Sequence, residues 1–331
     1  MKAGRWVDVG RVVCEEVPRP SPADGEILVR TAYTSICGSD LHSVYGGAPP
    51  PAVPAGHPGH ESVGEVVESR CPGFEPGDRV LTVPHFVDGR CMAEYQALPG
   101  SFCIRLSDKV PLSHLLMAQQ LGTVIYALRR HPLDLIGQDV AVIGQGSAGA
   151  FFTFLLKRAG ARSVLVSDKS PARLAYSRHL GADLTVLANP GLADGPDADG
   201  AEFRAAVLEA TGGRGAGLVV EAVGSRETFP LSVELAADSA TVLWFGLPEG
   251  AGAYPFSFPE FFVRRLTAYA ISGTQGEPGL ESFRYAVQLI ADGAIDVAPL
   301  LSHMLPIDRV EEAFHMAHDR TEGALKVSIE Y

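Results

Sequence analysis

Two short stretches, Cys37-Gly38-Ser39-Asp40-Leu41-His42 and Gly56-His57-Pro58-Gly59-His60-Glu61, bring together a thiol, imidazoles, carboxylates and a hydroxyl. Zinc takes Cys, His and carboxylate ligands in tetrahedral geometry, and a catalytic zinc keeps one position open. Spacing alone leaves a second reading: Cys-x4-His is not a finger spacing, and a lone cysteine often packs as a small buried hydrophobe. A third stretch, Gly144-Gln145-Gly146-Ser147-Ala148-Gly149, follows an apolar run and opens a helical pattern. Gly144 permits a tight turn, Gly146 lets the backbone approach a pyrophosphate, and Gly149 lets helix and strand pack closely. Ser147 and Ala148 begin the helix, whose first N–H groups and dipole suit phosphate. Asp168, nineteen positions after Gly149, ends the next strand-like run. A carboxylate there accepts the hydroxyls of an adenosine ribose and repels a 2′-phosphate, so NAD is expected over NADP, with Lys169 beside it softening that preference.

The elements that must position these residues fall into two textures. Before residue 121 the chain has short β-branched runs (26–30, 61–68, 78–83) broken by Pro and Gly, and Ala48-Pro49-Pro50-Pro51 forbids helix there. From residue 121 strand-like runs (140–143, 163–167, 184–187, 218–223, 240–245) alternate with helical stretches (147–159, 171–180, 201–210, 227–236). Those runs lack polar alternation, as in a parallel sheet covered on both faces. After Gly273 two helices (279–292, 308–318) and a strand (325–329) are too few for a domain and complete the first one. The expected fold is α/β: a mostly β domain from residues 1–121 and 272–331, and a doubly wound parallel-sheet domain over 122–271 inserted between its parts.

The segments CGSDLH, GHPGHESVGEVV, GQGSAG with Asp168, and EAVG (221–224) resemble the zinc-type medium-chain dehydrogenase/reductase family, whose members include alcohol, sorbitol and threonine dehydrogenases. The resemblance covers nearly the whole chain. It implies a GroES-like catalytic domain and a Rossmann-type cofactor domain. It also implies roles: Cys37 and His60 as zinc ligands, Glu61 as the adjacent carboxylate, Ser39 as the hydroxyl that exchanges a proton with substrate, and His42 as its relay to solvent. Asp40 would orient the histidine ligand. Thr123 matches a nicotinamide contact and Arg173 an adenosine contact.

The chain departs from the family's pattern twice. The remaining ligand, usually Cys, Glu or Asp, aligns with Gln119, a neutral and weaker donor. Either Cys37, His60 and Glu61 hold the ion with Gln119 as a weak ligand or hydrogen-bond partner, or zinc is weakly held or absent. Between Val83 and Tyr95 only PHFVDGRCMAE remains, with Cys91 alone, so the four-cysteine structural zinc is not expected. Cys14, Cys71, Cys91 and Cys103 then read as packing residues. His57 and His85 fall where they could line the entrance.

Composition bounds the rest. The 331 residues carry a net charge of −12, which disfavours nucleic acid and anionic lipid as partners. No apolar run approaches the ~20 residues that cross a bilayer, and residues 1–10 lack a hydrophobic export core, so a cytoplasmic protein without membrane attachment is expected. Five scattered cysteines form no disulfide framework. The leading expectation is zinc-dependent, NAD-linked oxidation of a secondary alcohol to a ketone, with a polyol, cyclitol or hydroxylated natural-product intermediate as substrate. The alternatives are a zinc-free NAD(P)H-dependent reductase of enones or quinones, and a non-catalytic NAD-binding protein. A homodimer or homotetramer is expected, with residues 240–247 and 254–262 as a self-associating edge.

Overall fold

The computed structural model describes residues 1–188, 200–250 and 252–331. Internal contacts divide the chain into two units, Met1–Tyr126 with Gly273–Tyr331, and Ala127–Ser272.

The first unit begins with a hairpin, β1 (Lys2–Asp8) and β2 (Arg11–Glu16), then continues through β3 (Glu26–Ser35), α1 (Gly38–Gly46), β4 (Ser62–Ser69), β5 (Arg79–Thr82), β6 (Tyr95–Pro99), β7 (Cys103–Arg105), α2 (Leu112–Leu116) and α3 (Ala118–Arg130). The second unit holds β8 (Asp139–Ile143), α4 (Ser147–Arg158), β9 (Ser163–Asp168), α5 (Pro171–His179), β10 (Leu184–Leu187), α6 (Ala201–Ala210), β11 (Ala216–Glu221), α7 (Thr228–Leu235), β12 (Ala236–Trp244), α8 (Phe258–Val263) and β13 (Thr267–Ala270). The chain then returns to the first unit with α9 (Glu281–Ala291), β14 (Leu301–Pro306), α10 (Val310–Asp319) and β15 (Lys326–Glu330).

In the first unit the strands run β14-β15-β3-β4-β5-β7, with β6 also on β3. The C-terminal β15 pairs antiparallel with β3, Ser328 opposite Ser35, so the chain's last strand lies beside the strand that leads into Cys37. Ile27, Val29, Val66, Val80, Leu98 and Cys103 pack one buried cluster. Trp6, Ile36, Val44, Phe314 and Ile329 belong to another, which joins the hairpin, α1, α10 and β15. The hairpin and α1 had no expected counterpart. α1 stops at Gly46, ahead of the proline run. The crossover between units falls at Tyr126, inside α3, rather than at 121: a continuous helix carries no breaker to mark it.

In the second unit all six strands are parallel, in the order β10-β9-β8-β11-β12-β13. The central strand DVAVI is buried at every position, as expected when helices cover both faces. α5 starts on Ser170, whose hydroxyl accepts from Arg173 N, with Pro171 in its first turn. One expectation is corrected. Residues 240–247 are not an edge, because Thr241 to Trp244 pair with Thr267 to Ala270, leaving β13 outermost. The aromatic stretch after them is divided: Phe256 and Phe261 pack on the core of this unit, while Phe258 and Phe262 are 63% and 72% exposed.

Candidate active site

Two loops of the first unit converge. Ligand atoms of Cys37, His60 and Glu61 all lie within 4.8 Å of one another. Asp40 organises the convergence from a wholly buried position. One of its carboxylate oxygens accepts the backbone N–H of Cys37 at 2.9 Å, and the other lies 3.2 Å from His60 Nδ1. The thiol at the start of α1 and the ring of the second loop are thus tied through one carboxylate, and Nε2 of His60 is left for another partner.

Glu61 is buried, and its Oε2 accepts from Lys326 Nζ at 2.7 Å and from the Ser35 hydroxyl. Its Oε1 is buried without a hydrogen-bond partner. Lys326 is itself buried, and its Nζ also donates to Gln120 Oε1 at 3.2 Å. Burial works against charge on both His60 and Lys326. Asp40 and Cys37 outweigh it for His60, and Glu61 and Cys37 for Lys326, so both pKa values lie above their ordinary ranges. Burial pushes Glu61 up, but Lys326 and His60 prevail and hold it below the usual carboxylate range. A half-buried thiol with a buried imidazole and carboxylate that draw positive charge to themselves, one carboxylate oxygen still unmatched, fit a zinc ion in chemistry and spacing.

Ser39 and His42 are half-buried and one turn apart on α1, directly after Cys37. Gln119 is buried on α3 with its amide nitrogen lacking a partner, and its backbone carbonyl accepts from Thr123 Oγ1 at 3.1 Å. The Phe86 ring meets His60 edge-on at 5.2 Å and His57 at 6.1 Å, forming an apolar wall in the short segment between Val83 and Tyr95. His85 instead packs on Phe102, with ring centroids 5.0 Å apart. Cys91 is buried, with its thiol donating to Gln96 Oε1 at 3.4 Å, and burial pushes its pKa up.

In the second unit the glycine turn follows β8 as its pattern requires. A β-carbon on Gly149 would overlap the carbonyl of Gly144, so glycine alone permits this helix–turn approach. Gly146 precedes α4 in extended conformation, and Ser147 and Ala148 form its first turn. Asp168 ends β9 with its carboxylate already ordered: Oδ2 accepts from Gln145 N and Oδ1 from Ser170 N, each at 2.7 Å. A carboxylate offers about four acceptor sites, so capacity remains for two ribose hydroxyls. Arg173 Nη1 lies 3.9 Å from Asp168 Oδ2. These groups fit the adenosine end of a dinucleotide.

Sequence reasoning did not find Lys326, Phe86 or the Gln145 side chain. The last is wholly internal, accepting from Thr153 Oγ1 (2.9 Å) and Ser177 Oγ (2.7 Å) and so fastening α4 and α5 to the turn. Its polar type inside the glycine pattern was the available signal.

Comparison with known proteins agrees with this layout. Residues 23–108 match the alcohol dehydrogenase GroES-like domain family and residues 149–292 the zinc-binding dehydrogenase family, together more than half of the chain. The chain is 26% identical to an alcohol dehydrogenase of Cupriavidus necator, over 99% of this chain and 98% of that protein. It is 28% identical to an L-threonine 3-dehydrogenase of Streptomyces avermitilis, over 90% of each. The solved alcohol dehydrogenase of Thermus sp. ATN1 superposes with a TM-score of 0.79 at 25% identity, covering 100% of this chain and 99% of that one.

Proposed function

Since the chain belongs to the zinc-type medium-chain dehydrogenase family, we propose that it catalyses the reversible, NAD-linked oxidation of a secondary alcohol to a ketone. The observation that carries this reading is the convergence of Cys37, His60 and Glu61 in one cluster, with His60 and Glu61 buried and Cys37 half-buried. These three would hold zinc, with Gln119 as a further donor. Zinc supplies Lewis acidity that lowers the pKa of the substrate hydroxyl. Ser39 takes the hydroxyl proton and His42, one turn along α1, passes it outward. Asp40 keeps the His60 ring turned so that Nδ1 stays occupied. Phe86 excludes water on one side of His60 and offers a face to substrate carbon. In the second unit the Gly144–Gly149 turn would cradle the pyrophosphate and Asp168 the adenosine ribose of NAD, which supplies the hydride acceptor. The CGSDLH and HE pairing favours a polyol, cyclitol or hydroxylated natural-product intermediate as substrate.

The test combines metal analysis with a panel of polyols, cyclitols and amino alcohols. We expect about one zinc per chain, and NADH formation with at least one alcohol at a rate exceeding that with NADP⁺ by about tenfold. No zinc and no NAD(H)-dependent absorbance change with any alcohol or ketone overturns the reading. The ion pair that Lys326 already makes with Glu61 favours one rival, a zinc-free NAD(P)H-dependent enone or quinone reductase. Metal-free protein that reduces such substrates would establish it. A non-catalytic NAD-binding protein predicts NADH uptake without turnover in the same assay.

The open edge β13 and the exposed Phe258, Phe262 and Val263 beside it support self-association as a homodimer or homotetramer. Phe262→Lys is expected to lower the mass seen in analytical sedimentation, and a monomeric unsubstituted protein overturns this. Free cysteines fit a reducing compartment, which supports a cytoplasmic location. No described helix is long and apolar enough to cross a membrane.

A further inference from the structure

Glu221, the last residue of β11, is wholly buried, in register with Ile143 of β8 on one side and Trp244 of β12 on the other. The strand order reverses between β8 and β11, and open α/β sheets bind ligands at the carboxyl ends of the strands at such a point. One oxygen of this side chain is heavily used. Oε1 accepts from Val223 N, Gly224 N and Thr228 Oγ1, each at 2.8 Å. The backbone carbonyl of Glu221 accepts from Phe245 N at 2.9 Å and Gly246 N at 3.0 Å. Oε2 is buried without a hydrogen-bond partner, and burial pushes the carboxyl above the usual glutamate range although the donors around it pull the other way.

The segments it pins reach the glycine turn. A β-carbon on Gly144 would come within 2.5 Å of Val223 Cγ2, and Ala222 N donates to Ile143 O at 3.0 Å. Gly224 packs so closely on Leu247 that a β-carbon there would overlap its carbonyl, and Glu249 N donates to Gly224 O at 3.1 Å. The carboxylate therefore fixes the connection after β11 beside the turn after β8, while the backbone carbonyl of the same residue holds the connection after β12. Burying a carboxylate is costly to the fold, and the return is rigid backbone at the ligand-facing end of the sheet.

We propose that Glu221 is a positioning residue for the nicotinamide half of the dinucleotide, its carboxylate holding residues 223–224, on which Leu247 packs, as the crevice wall on the β11 side. The Gly144–Gly149 turn serves the pyrophosphate, and Asp168 the adenosine half on the β9 side. The inference rests on the dinucleotide reading above, and the test separates the two. Binding of NADH and of AMP is measured on the full chain and on three variants. Glu221→Gln keeps an oxygen for the three donors, so its NADH affinity stays within about twofold. Glu221→Leu removes the acceptor and weakens NADH about tenfold or more, while AMP stays within about twofold and reports that the unit is folded. Thr228→Val, which deletes one donor and leaves the carboxylate, weakens NADH about threefold with AMP unchanged, and decides the matter if Glu221→Leu does not fold. Equal weakening of both ligands, or NADH affinity unchanged in Glu221→Leu and Thr228→Val, overturns the role of Glu221. An unsubstituted chain that binds neither ligand overturns the dinucleotide reading itself.

Discussion

Cys37→Ala is expected to remove both zinc and alcohol oxidation. The thiolate is the one soft, anionic donor in a cluster whose other members are an imidazole, which binds a metal only in its uncharged form, and a carboxylate that Lys326 already neutralises. Without it the remaining donors carry little net negative charge toward a cation. A catalytic zinc stabilises developing charge by several kcal/mol, so its loss lowers kcat/KM by about a thousandfold or more at about 1.4 kcal/mol per decade. The fold tolerates the change: Cys37 is half-buried, and its contact with Asp40 is made by the backbone N–H, which alanine keeps. Zinc content per chain, activity and unfolding midpoint are measured together. The expected result is zinc near zero, activity near the assay floor and a midpoint close to that of the unsubstituted metal-free protein. A Cys37→Ala protein with full zinc and activity within threefold would remove the thiol from the site, and the proposed chemistry with it.

What the sequence revealed and what it concealed follow from range. The glycine turn, Asp168 and the run into α4 are local: each lies within a few residues of the element that uses it, and strand, turn and helix punctuate one another in order. Cys37 and His60 were legible as residue types, because few other side chains bind zinc, but their approach depends on Asp40 bridging two loops. Lys326 was hidden for a different reason. It opens the last strand, and nothing near it in sequence marks a lysine as buried; its depth comes from β15 pairing with β3, next to the loop that bears Cys37. The edge at 240–247 was misjudged because a buried interior strand and an apolar edge share one composition, and only β13, four residues long, tells them apart. Gln119 is buried on α3 despite its polar type, with its amide nitrogen unpartnered.

Lys326→Met should separate the charge roles of that hidden residue. Methionine fills similar volume, so the change chiefly leaves Glu61 in the interior without its cation. Breaking one partner out of a buried ion pair costs about 3–5 kcal/mol, which for a protein of this size lowers the unfolding midpoint by about 10 °C. That figure applies to metal-free protein prepared with chelator. With zinc present the stranded carboxylate has a second positive partner within reach of its cluster, and ligand binding to the folded state alone adds stability by mass action. The drop in midpoint should therefore be clearly smaller in zinc-loaded protein, and zinc affinity should rise relative to the unsubstituted chain. Lys326→Arg, which keeps the charge, should restore most of the metal-free stability. Equal losses with and without zinc would mean that Glu61 never faces the cation, leaving it as the buried partner of Lys326 and reducing the metal site to Cys37, His60 and donors outside this cluster.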